Sequence, residues 1–225
     1  MPVHEKTIRP PHDRSELSQP RVAYQGIPGA FGEEAIRRLW FDSALPIPSR
    51  TFTEVLDLLV DGVVDWAVIP IWNSTIGPVA PACAALRVHE SAITRSREID
   101  VPVHHCLLGL PGTLMTDVRF VGSHVAALGQ CAKFFATHEA LSPCEAFDTA
   151  GAARELSLLV DAASPATHDS CWYSSLGADP RQLAAIASAD AGRRYGLSVL
   201  LDGVQDDPTN LTRFVVVRSK EARTW

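Results

Sequence analysis

The sequence predicts an α/β fold in which crossover helices join the strands of a sheet. The first observation behind this prediction is an alternation of short apolar runs, turns and segments with helical periodicity. The second is composition, because 46% hydrophobic residues in a chain of 225 are enough for a substantial core. The length fits one large domain or two small lobes. The sequence contains no internal repeat, heptad array or low-complexity tract.

The first half of the chain alternates strand and helix. After a predicted flexible N-terminal arm over residues 1–20, glycines and a proline at 26–29 mark a turn. The helix that follows has apolar residues at i, i+4 and i+8 and two glutamates in its first turn, where carboxylates suit the helix dipole. The predicted elements are a strand at 21–24, this helix from Phe31, a helix capped by Thr53 and ending near Leu59, a buried strand at 66–70, and a helix around 79–86.

The second half begins with a stretch that is too long for one strand. Residues 92–110 are rich in β-branched side chains, and we expect part of this stretch to cross between two lobes. A helix opened by Ser123 and His124 is predicted from apolar residues spaced i, i+3, i+7 and i+10. The other elements are strands at 118–121, 144–147, 183–187, 197–201 and 212–218, a helix at 150–158 capped by Thr149, an inserted loop at 164–182, and a short helix at 190–195.

Composition also limits the partners and the compartment. A formal net charge of −6 argues against nucleic-acid binding, which normally uses a basic surface. The sequence has neither an apolar run long enough for a membrane span nor the apolar core of a secretory signal. Five cysteines without a CxxC pair predict reduced thiols and therefore a cytoplasmic protein.

Several catalytic chemistries lack their motifs. GxGxxG, GxxxxGK[ST], HExxH and GxSxG are all absent from the sequence. His104 and His105 are adjacent on a predicted strand, so their side chains point to opposite faces and do not readily share a metal ion. We therefore predict neither a metal site nor a cofactor.

Three segments combine the end of a strand, a small or polar turn and the start of a helix. They begin at Tyr24, Pro70 and Val121. In α/β sheets, such turns bind ligands because the free N–H groups of a helix start attract carboxylates and phosphates. A fourth segment, 210–214, places a threonine hydroxyl beside an arginine, a pair that can orient a leaving oxygen and hold a carboxylate. A strand-edge threonine and a solvated arginine are the alternative for this segment.

Taken in order, these segments resemble the prephenate dehydratase family over nearly the whole chain after the arm. Seven blocks carry the resemblance, and the last, N-x-T-R-F, is intact at 210–214. The others are G-x-x-G-[ST]-[FY]-[ST] at 26–32, P-[IV]-E-N-S at 70–74, H-x-L-L at 105–108, S-H-P-Q-x-x-x-Q-C at 123–131, [ST]-T-A at 148–150, and A-A-I-A-S with Y-G-L at 184–188 and 195–197.

The resemblance implies a two-lobed α/β fold like type-2 periplasmic binding proteins, with the active site in the inter-lobe cleft. Lobe one would comprise 21–100 plus 196–218, and lobe two 101–195. A homodimer or homotetramer is implied, because family members usually form one or the other. Many members also carry a C-terminal ACT domain that senses phenylalanine. Since the sequence ends 11 residues after Phe214, we expect that domain to be absent.

The implied reaction is the decarboxylative dehydration of prephenate to phenylpyruvate in phenylalanine biosynthesis, without a cofactor. Thr212 matches the catalytic threonine of the family, and donation of a hydrogen bond suits its weakly acidic hydroxyl better than full protonation. The residues implied to bind the prephenate-like dicarboxylate are Gly29, Ala30, Phe31, Trp72, Asn73, Ser74, Ser123, His124, Gln130, Thr149, Arg213 and Phe214.

The chain departs from the family pattern near the expected cleft. Trp72 replaces a glutamate, Ala30 and Gly32 lack the usual hydroxyls, and 125–126 is Val-Ala in place of Pro-Gln. Residues 164–182 also exceed the usual connection. These departures leave two alternatives to an ordinary prephenate dehydratase. One is a relative in secondary metabolism that acts on prephenate or a related ring acid with another outcome; the other is a non-catalytic module that binds small carboxylates.

Overall fold

The structure is a computed structural model that describes residues 19–159 and 171–221. Within these ranges the chain forms two β-sheets with helices packed against them. Residues 1–18 of the predicted arm at 1–20 lie outside the described residues. The predicted loop at 164–182 is described only from residue 171. None of the described helices combines the length and apolarity needed to cross a membrane.

The first sheet contains six strands in the order β2-β1-β3-β11-β5, with β4 paired to β3. Strands β1, β2 and β3 are parallel, whereas β11 is antiparallel to both β3 and β5. The strands are β1 (Arg21–Gln25), β2 (Leu45–Ser49), β3 (Trp66–Asn73), β4 (Gly77–Pro78), β5 (Ile93–Pro102) and β11 (Leu211–Ser219); the helices between them are α1 (Phe31–Trp40), α2 (Phe52–Val60) and α3 (Ala80–Val88).

The second sheet contains five strands in the order β10-β6-β9-β7-β8. Strand β9 is parallel to β7 and antiparallel to β6. The strands are β6 (Cys106–Gly109), β7 (Phe120–Ser123), β8 (Ser142–Glu145), β9 (Leu183–Ala187) and β10 (Ser198–Leu201); the helices are α4 (Val125–Gly129), α5 (Ala132–Thr137), α6 (Thr149–Ser157) and α7 (Ala189–Arg194). Residues 103–105 join the two sheets, which confirms that the long stretch 92–110 crosses between them.

The central strands of the first sheet are buried on both faces. On β3, Ala67 and Ile69 pack in the cluster that contains the apolar residues of α2 and α3, whereas Val68 packs in the cluster that contains those of α1. Because both faces are covered, the strand reads as a continuous apolar run without alternation. That pattern explains why a buried strand could be predicted here from the sequence.

Several details of the structure differ from the prediction. Strand β2 was not predicted, because Pro46 and Pro48 argue against a strand, yet an edge strand tolerates prolines. Thr51, not Thr53, caps α2. Asp148, not Thr149, caps α6, because the extended backbone of Asp148 lets its side chain accept from Gly151 N–H. The single helix predicted from Ser123 divides into α4 and α5 around Gln130.

The placement of β10 differs from the predicted lobes. Residues 196–218 were assigned to lobe one, and β11 does lie in the first sheet, but β10 pairs with β6 in the second sheet. The chain leaves α7 through Gly196, which has a φ of 67°, and turns directly onto the nearby edge of β6. The lobe boundaries themselves remain a prediction.

Candidate active site

A cavity of about 870 Å³ lies between the two sheets and is lined by residues from both. Its volume falls within the range of small-molecule sites. Strand ends and helix starts form most of its wall, as the strand-turn-helix segments predicted. Nine predicted site residues line it: Gly29, Ala30, Phe31, Asn73, His124, Gln130, Thr149, Thr212 and Phe214.

Asn73 fixes the hydrogen-bonding direction of Thr212. The Oδ1 atom of Asn73 accepts from the backbone N–H groups of Thr75 and Ile76, at 3.0 and 3.2 Å. Since backbone amides only donate, the amide Nδ2 of Asn73 must face Thr212, and it donates to Oγ1 at 3.0 Å. Thr212 therefore accepts from Asn73. No acceptor among the described residues takes the Thr212 hydroxyl proton, so this proton is available to a ligand in the cavity.

Gln130 and His105 extend this network across the cavity wall. Gln130 Oε1 accepts from Asn210 Nδ2 at 3.1 Å, and its Nε2 donates to Asn73 Oδ1 at 3.4 Å. His105 Nε2 lies 3.0 Å from the same Oε1 and must carry a proton there. Its Nδ1 is buried and has no hydrogen-bond partner among the described residues, and burial lowers the pKa of His105. His105 is thus a neutral donor that holds Gln130 in place.

The start of α1 offers unpaired N–H groups to the cavity. Ala30 is the N-cap residue and has no side chain that could cap the helix, so the Phe31 and Gly32 amides at the cavity wall lack an intrahelical partner. The Gly29 amide was expected to bind the ligand, but it donates to the buried Glu33 carboxylate at 2.5 Å. Arg194 also contacts this carboxylate, at 2.7 Å. The predicted anion site is therefore confined to the first turn of α1.

Two helix starts in the second half of the chain complete the opposite wall. His124 caps α4, where its Nδ1 accepts from Ala126 N–H at 3.2 Å. Thr149 is the first residue of α6 and lines the cavity next to Asp148. The exposed Phe147 ring also lies at this wall. Its apolar surface is available to a ring-shaped ligand.

The structure does not bring Trp72 and Arg213 to the cavity. On β11, Arg213 lies between Thr212 and Phe214 and so faces the side opposite to theirs, and Trp72 of β3 pairs with it. The register shifts between Arg213 and Phe214, so that Pro70 and Asn73 both line the cavity and Trp72 does not. Arg213 binds both carboxylate oxygens of Asp100 at 2.7 and 2.9 Å, and its Cζ lies 6.0 Å from the Trp72 ring centre. The indole is 38% exposed. The departure from glutamate at position 72 therefore places no indole in the cavity.

Ser74 and Ser123 lie beside the site without lining the cavity. Ser74 Oγ donates to Asn210 Oδ1 at 3.2 Å and accepts from Leu211 N–H at 2.9 Å, which ties the end of β3 to the start of β11. Ser123 is fully buried, and its Oγ donates to the Ile186 carbonyl at 2.8 Å between β7 and β9. Both hydroxyls support the backbone in this structure.

Sequence reasoning missed a cation at the cavity. Arg50 precedes the cap of α2, lines the cavity and is exposed. Its guanidinium makes no ion pair with any described residue, in contrast to Arg213. Arg50, unlike Arg213, is therefore a cation at the cavity whose guanidinium is not engaged by a described carboxylate. The signal was weak, since a lone arginine before a helix carries no motif.

Outside the cavity, His104, Cys106 and Asp202 form a small polar cluster. His104 and Cys106 are two residues apart and lie on the same side of the chain. The sequence argument against a metal site compared only His104 with its neighbour His105 and did not consider this pair. His104 Nε2 and Cys106 Sγ lie 2.8 and 3.1 Å from one Asp202 oxygen, while the Gln205 amide donates to His104 Nδ1. Burial, followed by Asp202, raises the pKa of Cys106 to about 12. Cys106 and His104 thus share one acceptor, the Asp202 carboxylate, and their hydrogen bonds to it lower the pKa of Asp202.

Comparison with known proteins agrees with this geometry. The family model described as prephenate dehydratase matches residues 22–222. An Arabidopsis thaliana protein named arogenate dehydratase/prephenate dehydratase 1, chloroplastic, is 34% identical over 200 residues, which cover 89% of this chain and 45% of that protein. The chain thus spans less than half the length of this relative.

Two solved structures are also similar. Prephenate dehydratase from Arthrobacter aurescens, solved in complex with L-Phe, superposes with a TM-score of 0.74 at 26% identity, over 91% of this chain and 63% of that one. GqqA, described as a novel type of quorum-quenching acylase, gives a TM-score of 0.72 at 29% identity, over 91% and 66% of the two chains. These matches confirm the two-sheet α/β class. By fold and sequence, the chain belongs to the prephenate dehydratase family.

Proposed function

We propose that this protein is a lyase that converts prephenate to phenylpyruvate, carbon dioxide and hydroxide. The observation that carries the proposal is the Thr212 hydroxyl, which accepts from Asn73, has no acceptor for its own proton among the described residues, and lines a cavity that also offers free donors. Such an arrangement suits a substrate with a leaving hydroxyl at one end and carboxylates at the other. The family assignment supports the same reaction.

The reaction is a 1,4-elimination across the substrate ring. The bond between ring carbon 1 and its carboxylate breaks and releases carbon dioxide. The electron pair moves through the ring as the bond between carbon 4 and its hydroxyl breaks, and hydroxide leaves. The prephenate dianion therefore gives the phenylpyruvate anion, carbon dioxide and hydroxide. Electrons lost at one carbon are taken up at the other, so the proposed step requires no redox cofactor.

Thr212 assists the departing oxygen by donating a hydrogen bond. A threonine hydroxyl is too weak an acid to transfer its proton fully at neutral pH, but a fixed donor stabilises charge that develops on the leaving oxygen. Because the Asn73 amide can only donate to Oγ1, it engages a lone pair there and leaves the hydroxyl proton for the substrate. Donors held in advance in this way avoid reorganisation during the reaction.

The carboxylates of the substrate meet the first turn of α1 and Arg50 in this proposal. The Phe31 and Gly32 amides lie at a helix start, where the dipole favours an anion, and no described residue caps them with a side chain. Arg50 supplies a full positive charge on the same cavity wall. Phe147 and Phe214 present apolar surface to the ring.

We further propose a setting for this activity: a cytoplasmic enzyme of phenylalanine biosynthesis that works as a homodimer or homotetramer. Five free cysteines fit a reducing compartment, although the relative above is named as chloroplastic. Sedimentation of the purified chain would test the oligomer directly. A monomer at micromolar concentration would contradict that part of the proposal.

The test of the reaction is a product assay. Purified protein is incubated with prephenate at neutral pH and followed by NMR, beside a control without enzyme because acid alone converts prephenate to phenylpyruvate. Rapid formation of phenylpyruvate is the expected result. A non-aromatic decarboxylated acid would favour the relative with another outcome, and binding without turnover would favour the carboxylate-binding module; either result overturns the proposal.

A further inference from the structure

Asp148 is the one carboxylate among the described residues that line the cavity. The other ionisable side chains there are Arg50, His105 and His124. A negative charge in the cavity wall would repel a substrate that carries only negative charges. Serine or threonine at position 148 would cap the helix without adding charge.

The environment of Asp148 leaves its charge only partly compensated. One oxygen, Oδ1, accepts from Gly151 N–H at the start of α6. No lysine or arginine among the described residues forms an ion pair with it. Burial raises the pKa of Asp148, against the opposing effects of the helix amides, His124 and Arg154. A partly buried carboxylate without a direct ion pair is costly, and a cationic group on a ligand would relieve that cost.

Prephenate carries no cation, but its amino analogue does. Arogenate has the same ring, ring carboxylate and leaving hydroxyl, and an α-ammonium group replaces the keto group of the side chain. Because the side chain takes no part in the elimination, Thr212 would serve both substrates equally. The relative described above carries both substrates in its name.

We propose that Asp148 binds the α-ammonium group of arogenate and thereby favours the amino-acid substrate over the keto acid. This inference rests on the proposed function and concerns the same cavity. The two carboxylates of arogenate occupy the sites at α1 and Arg50, and its ammonium group meets the carboxylate beside Thr149. Asp148 is then a specificity-determining residue, and its capping bond to Gly151 holds it in position.

The test compares kcat/KM for arogenate and prephenate in the wild type and in Asp148→Asn. Asparagine caps a helix as well as aspartate does, so the substitution removes the charge and keeps the start of α6. We expect the ratio of arogenate to prephenate kcat/KM to fall about tenfold to a hundredfold, the range for loss of a charged hydrogen bond. Asp148→Ser, which keeps a capping hydroxyl without the charge, is the second variant and should lower the ratio similarly.

Asp179→Asn is the matched control. Asp179 also caps a helical turn, 180–182, but it does not line the cavity, so its substitution should leave the ratio unchanged. An unchanged ratio in folded Asp148 variants overturns the inference. So does a wild type that converts prephenate but not arogenate, a result that leaves the proposed function intact. Turnover of neither substrate by the wild type overturns the proposed function and this inference together.

Discussion

Replacement of Thr212 by valine separates catalysis from stability unusually well in this site. Valine has nearly the shape of threonine but lacks the hydroxyl. The Asn73 amide, which donates to Thr212 Oγ1 at 3.0 Å, also has Asn210 Oδ1 at 2.8 Å and the Leu211 carbonyl at 3.0 Å. An amide nitrogen carries two hydrogens, so both keep an acceptor after the substitution.

The expected magnitudes follow from that count. Because no buried donor is left unpaired, the stability loss should be about 1 kcal/mol or less, or a fall in Tm of roughly 2–4 °C for a chain of this size. Loss of one donor to a developing oxyanion costs about 10²–10³ in kcat. KM should change little, because the carboxylates are bound elsewhere in the cavity.

Steady-state kinetics on prephenate, with thermal melts of the same preparations, measure both effects. Thr212→Ser keeps a hydroxyl and should retain most of the activity, which makes it the matched control. If Thr212→Val turns over within tenfold of the wild type, the hydroxyl does not assist the leaving group and the mechanism is wrong. If it melts far below the wild type, the assignment of the Asn73 hydrogen bonds is wrong.

Three further predictions concern charges and rings around the cavity. Trp72→Glu, which restores the family residue, should change kcat/KM less than about threefold because position 72 lies on the opposite face of the sheet; a tenfold change would contradict this placement. Arg50→Gln should raise KM about tenfold or more through loss of a charged hydrogen bond, whereas Arg213→Gln should leave KM unchanged. If steady-state kinetics show the reverse, Arg213 and not Arg50 binds the substrate carboxylate. Burial lowers the pKa of His105 below its ordinary 6.5, so the unfolded chain takes up its proton first and His105 costs stability as the pH falls below about 6.5. His105→Gln keeps a donor for Gln130, and urea unfolding at pH 7 and pH 5 should show a smaller loss in this variant than in the wild type; equal losses would refute the buried neutral state of His105.

Local patterns predicted most of the strands and helices. The strands at 66–73 and 183–187 are mainly apolar because both faces of each are covered. A continuous apolar run can be recognised from a few adjacent residues, so these strands could be predicted from the sequence. The edge strand β2 escaped prediction because its two prolines are tolerated only through its position at the edge of the sheet. The choice of Thr51 and Asp148 as caps depended on backbone conformation at single residues, which sequence patterns place only to within a few positions.

The motifs also brought the main catalytic candidates together. Asn73 and Thr212 are 139 positions apart in the chain, yet they form a hydrogen bond because β3 and β11 pair in the first sheet. The resemblance to a family supplied this pairing, since no local pattern contains it. Arg50 was missed because it carries no motif. His105 begins the H-x-L-L block but was not predicted as a site residue, because its contact with Gln130 forms only when distant segments of the chain meet.

The sequence by itself determined the class of fold, the order of nearly all its elements, and the residues that end strands and open helices, because these depend on interactions between near neighbours. Only the tertiary structure decided which side chains face the cavity. A strand alternates its side chains with a period of two, so one position separates Thr212, in the cavity, from Arg213, on the opposite face beside Trp72 and Asp100. The neighbouring strands and helices determine which of those faces becomes the wall of a site.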